Sequence, residues 1–408
     1  MAGIKLSNVG LFRRRDKEAE RKEEEEDLDA SDFEDEPTQP RKQKSRRPKD
    51  TRFTQQRIAS VNHVATPRTV VPVYLVLAVV FAAAGAVLLL QSRRVDELIM
   101  YYHDCERRAP RGRFAEMAAE DYTQAFHKMP EFARAPQWSY EPARDAAEDG
   151  VCRLRFQVPY LLEGPIYVSY LIENFYANHR RFVLSFSEEQ INGKNATYKD
   201  VYDSVGINCR PLVANEEGKL YYPCGLIANS MFNDSFPFSL EGVGRTPNYV
   251  LSDRHINWSD DKNRFRNTKY SPKDVVPPPH WRKRFPDGYN EKNMPNIEEW
   301  EEFQNWMRTS TLPKFSKLIR RGDGALSAGQ YEMSIGLHWP VDGWKGGKKA
   351  VYLSTTTSTG GHNDFLGIVY LAGSGICCLI AILILVARFF GGRKIGDPRF
   401  LSWNKIKY

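Results

Sequence analysis

VVPVYLVLAVVFAAAGAVLLL, residues Val70–Leu90, carries no charged or amide side chain, and its only hydroxyl is on Tyr74. As a helix rising about 1.5 Å per residue it reaches roughly 31 Å, the thickness of a bilayer's hydrocarbon core. A helix satisfies its own backbone in lipid, so the stretch is expected to be a transmembrane helix. Pro72 is expected in its first turn, where a missing N–H costs little. A cleaved signal peptide fits poorly, because 69 residues precede the run.

A second run, FLGIVYLAGSGICCLIAILILVA at Phe365–Ala387, is also long enough to cross, and Gln91–Asp364 holds no third candidate. Lys and Arg near the span ends set the orientation. Nine precede the first span between Arg41 and Arg68, and six follow the second between Arg388 and Lys407. Only Arg93 and Arg94 stand on the opposite side, so both termini are expected in the cytosol and Gln91–Asp364 in the lumen or outside the cell. The expected order is a disordered cytosolic tail (1–48), a juxtamembrane segment (49–69), a span (70–90), an ectodomain (91–364), a span (365–387) and a cytosolic tail (388–408).

The 408 residues carry a net charge of +7. The excess sits in the juxtamembrane segments, which points to topology and anionic inner-leaflet lipid and away from nucleic acid. RRRDKEAERKEEEEDLDASDFEDEP is too poor in apolar residues to fold. PKDTRFTQQRIASV, with Phe53 and Ile58 among polar residues, directly precedes the membrane and suits a partner's cytosolic face.

Cys105, Cys152, Cys209 and Cys224 lie in the expected outer region, while Cys377 and Cys378 lie inside the second span. Four cysteines in an oxidising compartment suggest two disulfides with three possible pairings, and sequential pairs are favoured because each closes a local loop. A metal site is disfavoured by the lack of a CxxC and of histidines at ligand spacing. Three glycosylation sequons begin at Asn195, Asn233 and Asn257, so N-linked glycans are expected; no other cofactor is.

Val95–Tyr102 is expected to continue the first helix, and the region around Arg108–Gly150 receives no assignment. Period-two patterns then put Leu154, Phe156 and Val158 on one strand face, Phe182, Leu184 and Phe186 on another, and Tyr331, Met333, Ile335, Leu337 and Trp339 on a third. GKKAVYLST adds a last strand. These predict a mainly antiparallel, sandwich-like β ectodomain with helical and loop insertions between two transmembrane helices. One helix is expected from an Asn296 cap through Ile297, Trp300, Phe303 and Met307, with Glu298, Glu299, Glu301 and Glu302 on its solvated face. VVPPPHW is expected to be an extended connector.

No nucleotide loop, HExxH or GxSxG occurs. His179 and His362 lack evident triad partners, so no catalytic residue is assigned. Neither span carries the ionisable groups that a transport path needs. Ala82–Ala86 and Ala372–Gly375 are small, which suits packing against another membrane protein ahead of packing only against each other.

Several blocks, taken together, resemble one family: PKDTRFTQQRI, ENFYANHRRFVLSFSEEQI, YYPCGLIANSMFNDSF, RFPDGYN, EEFQNWMRTSTLPKFSKL, GGHNDFLGIVYLAGSGICC and GDPRFLSW. They are similar to the ligand-effect modulator (cell division control protein 50) family, accessory β-subunits of type IV P-type ATPases, the phospholipid flippases. His362 departs from the lysine common there.

The resemblance implies a non-catalytic chain that helps the ATPase fold and leave the endoplasmic reticulum. It then stays bound during phospholipid translocation, in the Golgi, endosomes or plasma membrane. The partner would hold the nucleotide site and the lipid path. Cys105, Cys152, Cys209 and Cys224 would form the disulfide framework. Asn174, Phe175, Tyr176, His179, Arg180 and Arg181, with Trp306, Met307 and Arg308, would build or border the ectodomain surface facing the ATPase. The competing possibility is that Phe175, Tyr176 and Trp306 are core aromatics. Arg52, Phe53, Gln55, Gln56 and Arg57 would meet the partner's cytosolic side. The alternative function is an independent glycosylated cell-surface binding protein or ectodomain hydrolase.

Overall fold

A computed structural model describes residues 51–59, 65–128, 134–143, 149–341, 343 and 345–391. The acidic tail and residues 392–408 lie outside the described residues. The chain divides into two units, Met1–Val64 and Ala65–Tyr408.

The three longest helices among the described residues are α1 (Pro67–Ser92), α2 (Glu301–Met307) and α3 (Asp364–Gly391). Two of them, α1 and α3, are long and apolar enough to cross a membrane. Helix α1 begins three residues earlier than the apolar run, at Pro67 after a Thr66 cap. Pro67 therefore takes the position where a proline suits a helix start, and Pro72 lies inside the helix rather than at its first turn.

The spans pack against each other along stripes of small side chains. On α1 the buried positions are Val71, Ala78, Gly85 and Ser92, seven residues apart, the spacing that keeps one face turned to a partner helix. On α3 they are Gly367, Cys377 and Ala381. A Cβ on Gly85 would lie 3.0 Å from the Gly367 carbonyl oxygen, and one on Gly367 would lie 2.5 Å from Leu89 Cγ. The Ser374 hydroxyl donates to the Ala78 carbonyl at 2.8 Å. Part of the small-residue set therefore serves the pair itself, while Gly375 faces open space.

Between the spans stand two antiparallel sheets. One has five strands in the order β11 (Phe315–Gly322), β6 (Ile166–Glu173), β13 (Lys348–Ser354), β1 (Glu97–Tyr101) and β3 (Tyr122–Ala125). The other has six, in the order β2 (Ala115–Glu116), β4 (Gln137–Glu141), β5 (Val151–Val158), β12 (Gly329–Gly336), β8 (Ser239–Gly242) and β9 (Tyr249–Val250). Side chains of both sheets, among them Leu98, Ile172 and Val351 with Leu154, Phe156 and Met333, enter one continuous core. The disulfide Cys105–Cys152 joins the segment after β1 to β5. The second, Cys209–Cys224, anchors a smaller cluster with Val201, Val213 and Tyr221.

Several expectations need correction. Val95–Tyr102 does not extend the helix; it turns and enters β1, where Leu98 and Met100 are fully buried on one side. Pairing on both edges, with β13 and β3, outweighs helical continuation there. Phe182, Leu184 and Phe186 share no strand: a one-turn helix spans Arg180–Val183, and Phe182 and Phe186 pack against the core as partly buried rings. Helix α2 starts only at Glu301, and Asn296 Oδ1 instead accepts from the Glu298 N–H at 3.1 Å in the preceding turn. In VVPPPHW, β10 (Val275–Val276) pairs in parallel with β7 (Leu220–Tyr221), and Pro279–Trp281 is a 3-10 turn with Trp281 buried.

Leu154, Phe156 and Val158 line β5, and Tyr331, Met333 and Ile335 line β12, all buried. Leu337 and Trp339 lie beyond the end of β12.

Candidate interaction surface

The ENFYANHRR block follows β6, whose hydrogen bonds to β11 and β13 fix where it leaves the sheet. Asn174 turns the chain at φ 62°, a conformation that asparagine tolerates better than most residues. Its Nδ2 donates to the Gly346 carbonyl at 2.6 Å. Phe175 then points inward, with its ring 5.9 Å from Trp306 and 5.7 Å from Trp339. Tyr176 points outward and is 62% exposed.

His179, Arg180 and Arg181 are exposed, and none forms an ion pair among the described residues. With Leu184, Asn208 and Arg210 they line a concavity of about 470 Å³. The neighbouring segment is tied in place by the Ser185 hydroxyl donating to the Arg210 carbonyl at 2.9 Å and by Cys209–Cys224. Arg210 itself is occupied by Asp203 at 3.2 Å and stacks 3.9 Å above the Tyr202 ring. This basic surface suits an acidic segment of another chain.

The EEFQNWMR block divides differently. Trp306 is 4% exposed, and its indole N–H donates to the Ile227 carbonyl at 2.8 Å; Met307 is buried as well. Both side chains lie in the core, which for Trp306 is the competing possibility given above. Arg308 alone reaches outward, pairing with Asp261 at 3.3 Å and lying 5.0 Å over Trp258, which is 70% exposed. A lone tryptophan inside a sequon carries no sequence pattern that marks such an exposed ring.

Residues 51–59 form a compact turn of their own. The Arg57 N–H donates to the Arg52 carbonyl at 2.7 Å, and the Gln56 N–H to that of Phe53 at 3.0 Å. The Phe53 ring is 77% exposed there, with Arg52, Gln55, Gln56 and Arg57 also at the surface.

The glutamates of α2 are not a solvated face. Glu301 is buried and accepts from the N–H groups of Ile256 at 2.9 Å and Asn257 at 3.3 Å, and from Lys262 Nζ at 3.1 Å. Burial works to raise its pKa, but Lys262 and the two backbone donors together hold it below the ordinary value. Glu302 is paired with Arg320. A glycosidase needs one carboxyl kept protonated near neutrality, and Glu301 is pushed the other way.

His362 bridges the Glu97 carboxylate at 3.2 Å and Asp364 at 3.7 Å, beside the join between α3 and the sheet. Among the described residues no group of His, Cys, Asp and Glu is arranged to hold a metal ion.

The sequence profile of the LEM3 (ligand-effect modulator 3) / CDC50 family matches residues 88–394. The phospholipid-transporting ATPase accessory subunit LEM3 of Saccharomyces cerevisiae is 49% identical over 99% of this chain and 100% of that protein. The accessory subunit CRF1 of the same organism is 38% identical over 89% of the chain and 90% of its own length. The accessory subunit CDC50 of Chaetomium thermophilum is 35% identical over 88% of the chain and 91% of its own length.

Proposed function

The chain belongs to the LEM3/CDC50 family, a family of two-pass membrane proteins, and on that footing we propose that it is the non-catalytic accessory subunit of a phospholipid-transporting ATPase. It assembles with a type IV P-type catalytic subunit, assists its folding and exit from the endoplasmic reticulum, and stays bound while lipid moves to the cytosolic leaflet. Both termini face the cytosol, and the β ectodomain faces the lumen or the exterior.

One observation carries this reading. The match to the Saccharomyces cerevisiae subunit covers essentially the whole of both proteins at 49% identity. The spans agree with the division of labour, since neither Val70–Leu90 nor Phe365–Ala387 has a charged group to line a lipid path. Tyr176, His179, Arg180, Arg181 and Arg308 supply the ectodomain contact, with Asn174 and Phe175 holding that loop. Arg52, Phe53, Gln55, Gln56 and Arg57 supply the cytosolic contact.

The test is recovery of the tagged full chain from detergent-solubilised native membranes, followed by mass spectrometry. A co-purifying P-type ATPase is the expected result. Repeated recovery of the chain alone, with its cellular task intact, overturns the reading.

A further inference from the structure

We propose that a cavity in the ectodomain seats the first sugars of an N-linked glycan carried by Asn233. The inference rests on the luminal placement of the ectodomain given above. The cavity holds about 760 Å³, within the range usual for small-ligand sites. Asn233 stands on its lining, is exposed, and makes no side-chain hydrogen bond among the described residues.

The acceptor's neighbours are immobilised on both sides. Asp234 is wholly buried, and its carboxylate accepts from the N–H groups of His338 at 2.8 Å and Trp339 at 2.7 Å, from Lys349 Nζ at 2.6 Å and from the Tyr102 hydroxyl at 2.9 Å. Ser235 exchanges backbone hydrogen bonds with Gly336, at 3.2 and 3.1 Å. The first sugar therefore starts from a fixed point at the cavity wall.

The lining suits a pyranose. Phe238 offers an aromatic ring that is 57% exposed and is backed by the Arg320 guanidinium at 4.2 Å. Asp149, bonded to Lys283 and His338 at 2.8 Å each, supplies polar groups for hydroxyls. Arg320 Nε is buried without a hydrogen-bond partner. Tethering to Asn233 raises the local sugar concentration to about the millimolar range, so weak contacts suffice to fill the cavity.

The other sequons differ. Asn257 Nδ2 is already donating to Gln304 Oε1 at 3.0 Å, and Asn195 is exposed on a loop. Attachment joins Asn233 Nδ2 to the anomeric carbon of a lipid-linked oligosaccharide diphosphate. The amide gives up one proton as the lipid diphosphate leaves.

The experiment uses the full chain made in an N-glycosylating host. Release of the Asn233 glycan by peptide N-glycosidase is followed by site-resolved mass spectrometry, in native and denatured protein. The expected result is release at least tenfold slower in the native protein, with Phe238→Ala removing most of that protection while leaving the unfolding midpoint unchanged. Equal rates in the unaltered protein overturn the seat, as does protection that persists in Phe238→Ala. An unmodified Asn233 beside a glycosylated Asn195 also overturns it and leaves the topology standing. If neither asparagine is modified, the luminal placement falls and the inference with it.

Discussion

Glu97 and Ser354 face each other across β1 and β13, so the strands joined to the two spans are hydrogen-bonded neighbours inside one sheet. Just before them the Asp96 N–H donates to Thr355 Oγ1 at 2.9 Å, and the Thr355 N–H donates back to the Asp96 carbonyl at the same distance. The Asn363 N–H donates to Ser92 Oγ at 3.0 Å, tying the end of α1 to the start of α3. A displacement of either span therefore reaches the sheet through short, ordered connections rather than through a slack linker.

That coupling depends on the spans staying close. Gly85→Val and Gly367→Val each force a side chain into Leu371 or Leu89 and should destabilise the chain by about 1–3 kcal/mol. Gly375→Val, at an open position, should leave the thermal unfolding midpoint of the purified chain unchanged. Equal effects at all three positions would show that the close approach is unimportant.

The buried pair of Asp234 and Lys349 holds the sheet to the loop that carries Trp339, whose carbonyl also accepts from Lys349 at 2.7 Å. Asp234→Asn leaves the ammonium without its carboxylate and should cost about 3–5 kcal/mol in denaturant unfolding. Adding Lys349→Met should recover part of the loss, because no charge then remains buried.

Glu301 gives a pH signature with a definite sign. Its folded pKa lies below the ordinary 4.5, so its stabilisation is fully present above about pH 4.5 and is lost as pH falls through the folded value. Glu301→Gln should lower the unfolding midpoint at pH 7. The gap to the unaltered protein should close progressively below pH 4.5.

Cys209–Cys224 closes a loop of sequence separation 15, for which the chain-entropy relation gives about 3 kcal/mol. Replacing both cysteines by serine should reduce stability by that order in chemical unfolding. It should also retain the protein early in secretion, read by localisation of a tagged chain.

Charge reversal at Arg180 and Arg181 tests the ectodomain contact. Neither guanidinium is paired within the described chain, so the double change to glutamate should leave the unfolding free energy within about 0.5 kcal/mol of the original. It should still weaken ATPase co-purification severalfold. Undiminished recovery would remove this surface from the interface.

The two spans, the even strands of β5 and β12 and the absence of catalytic motifs were all legible in the linear chain. Each depends on short-range composition or on a period that holds over a whole element, as the uninterrupted apolar run Val70–Leu90 shows. Tertiary structure alone decided which way ambiguous residues turned. Val95–Tyr102 suits helix or strand, and two flanking strands made it β1. Trp306 and Arg308 stand two residues apart in one block, yet the first is sealed against Ile227 and the second reaches Asp261. Glu301 lies in a run of acids that suggests solvent, but Lys262 and the backbone N–H groups of Ile256 and Asn257, all from one segment earlier in the chain, make its burial tolerable. Such outcomes depend on partners dozens of residues away, and no local pattern records them.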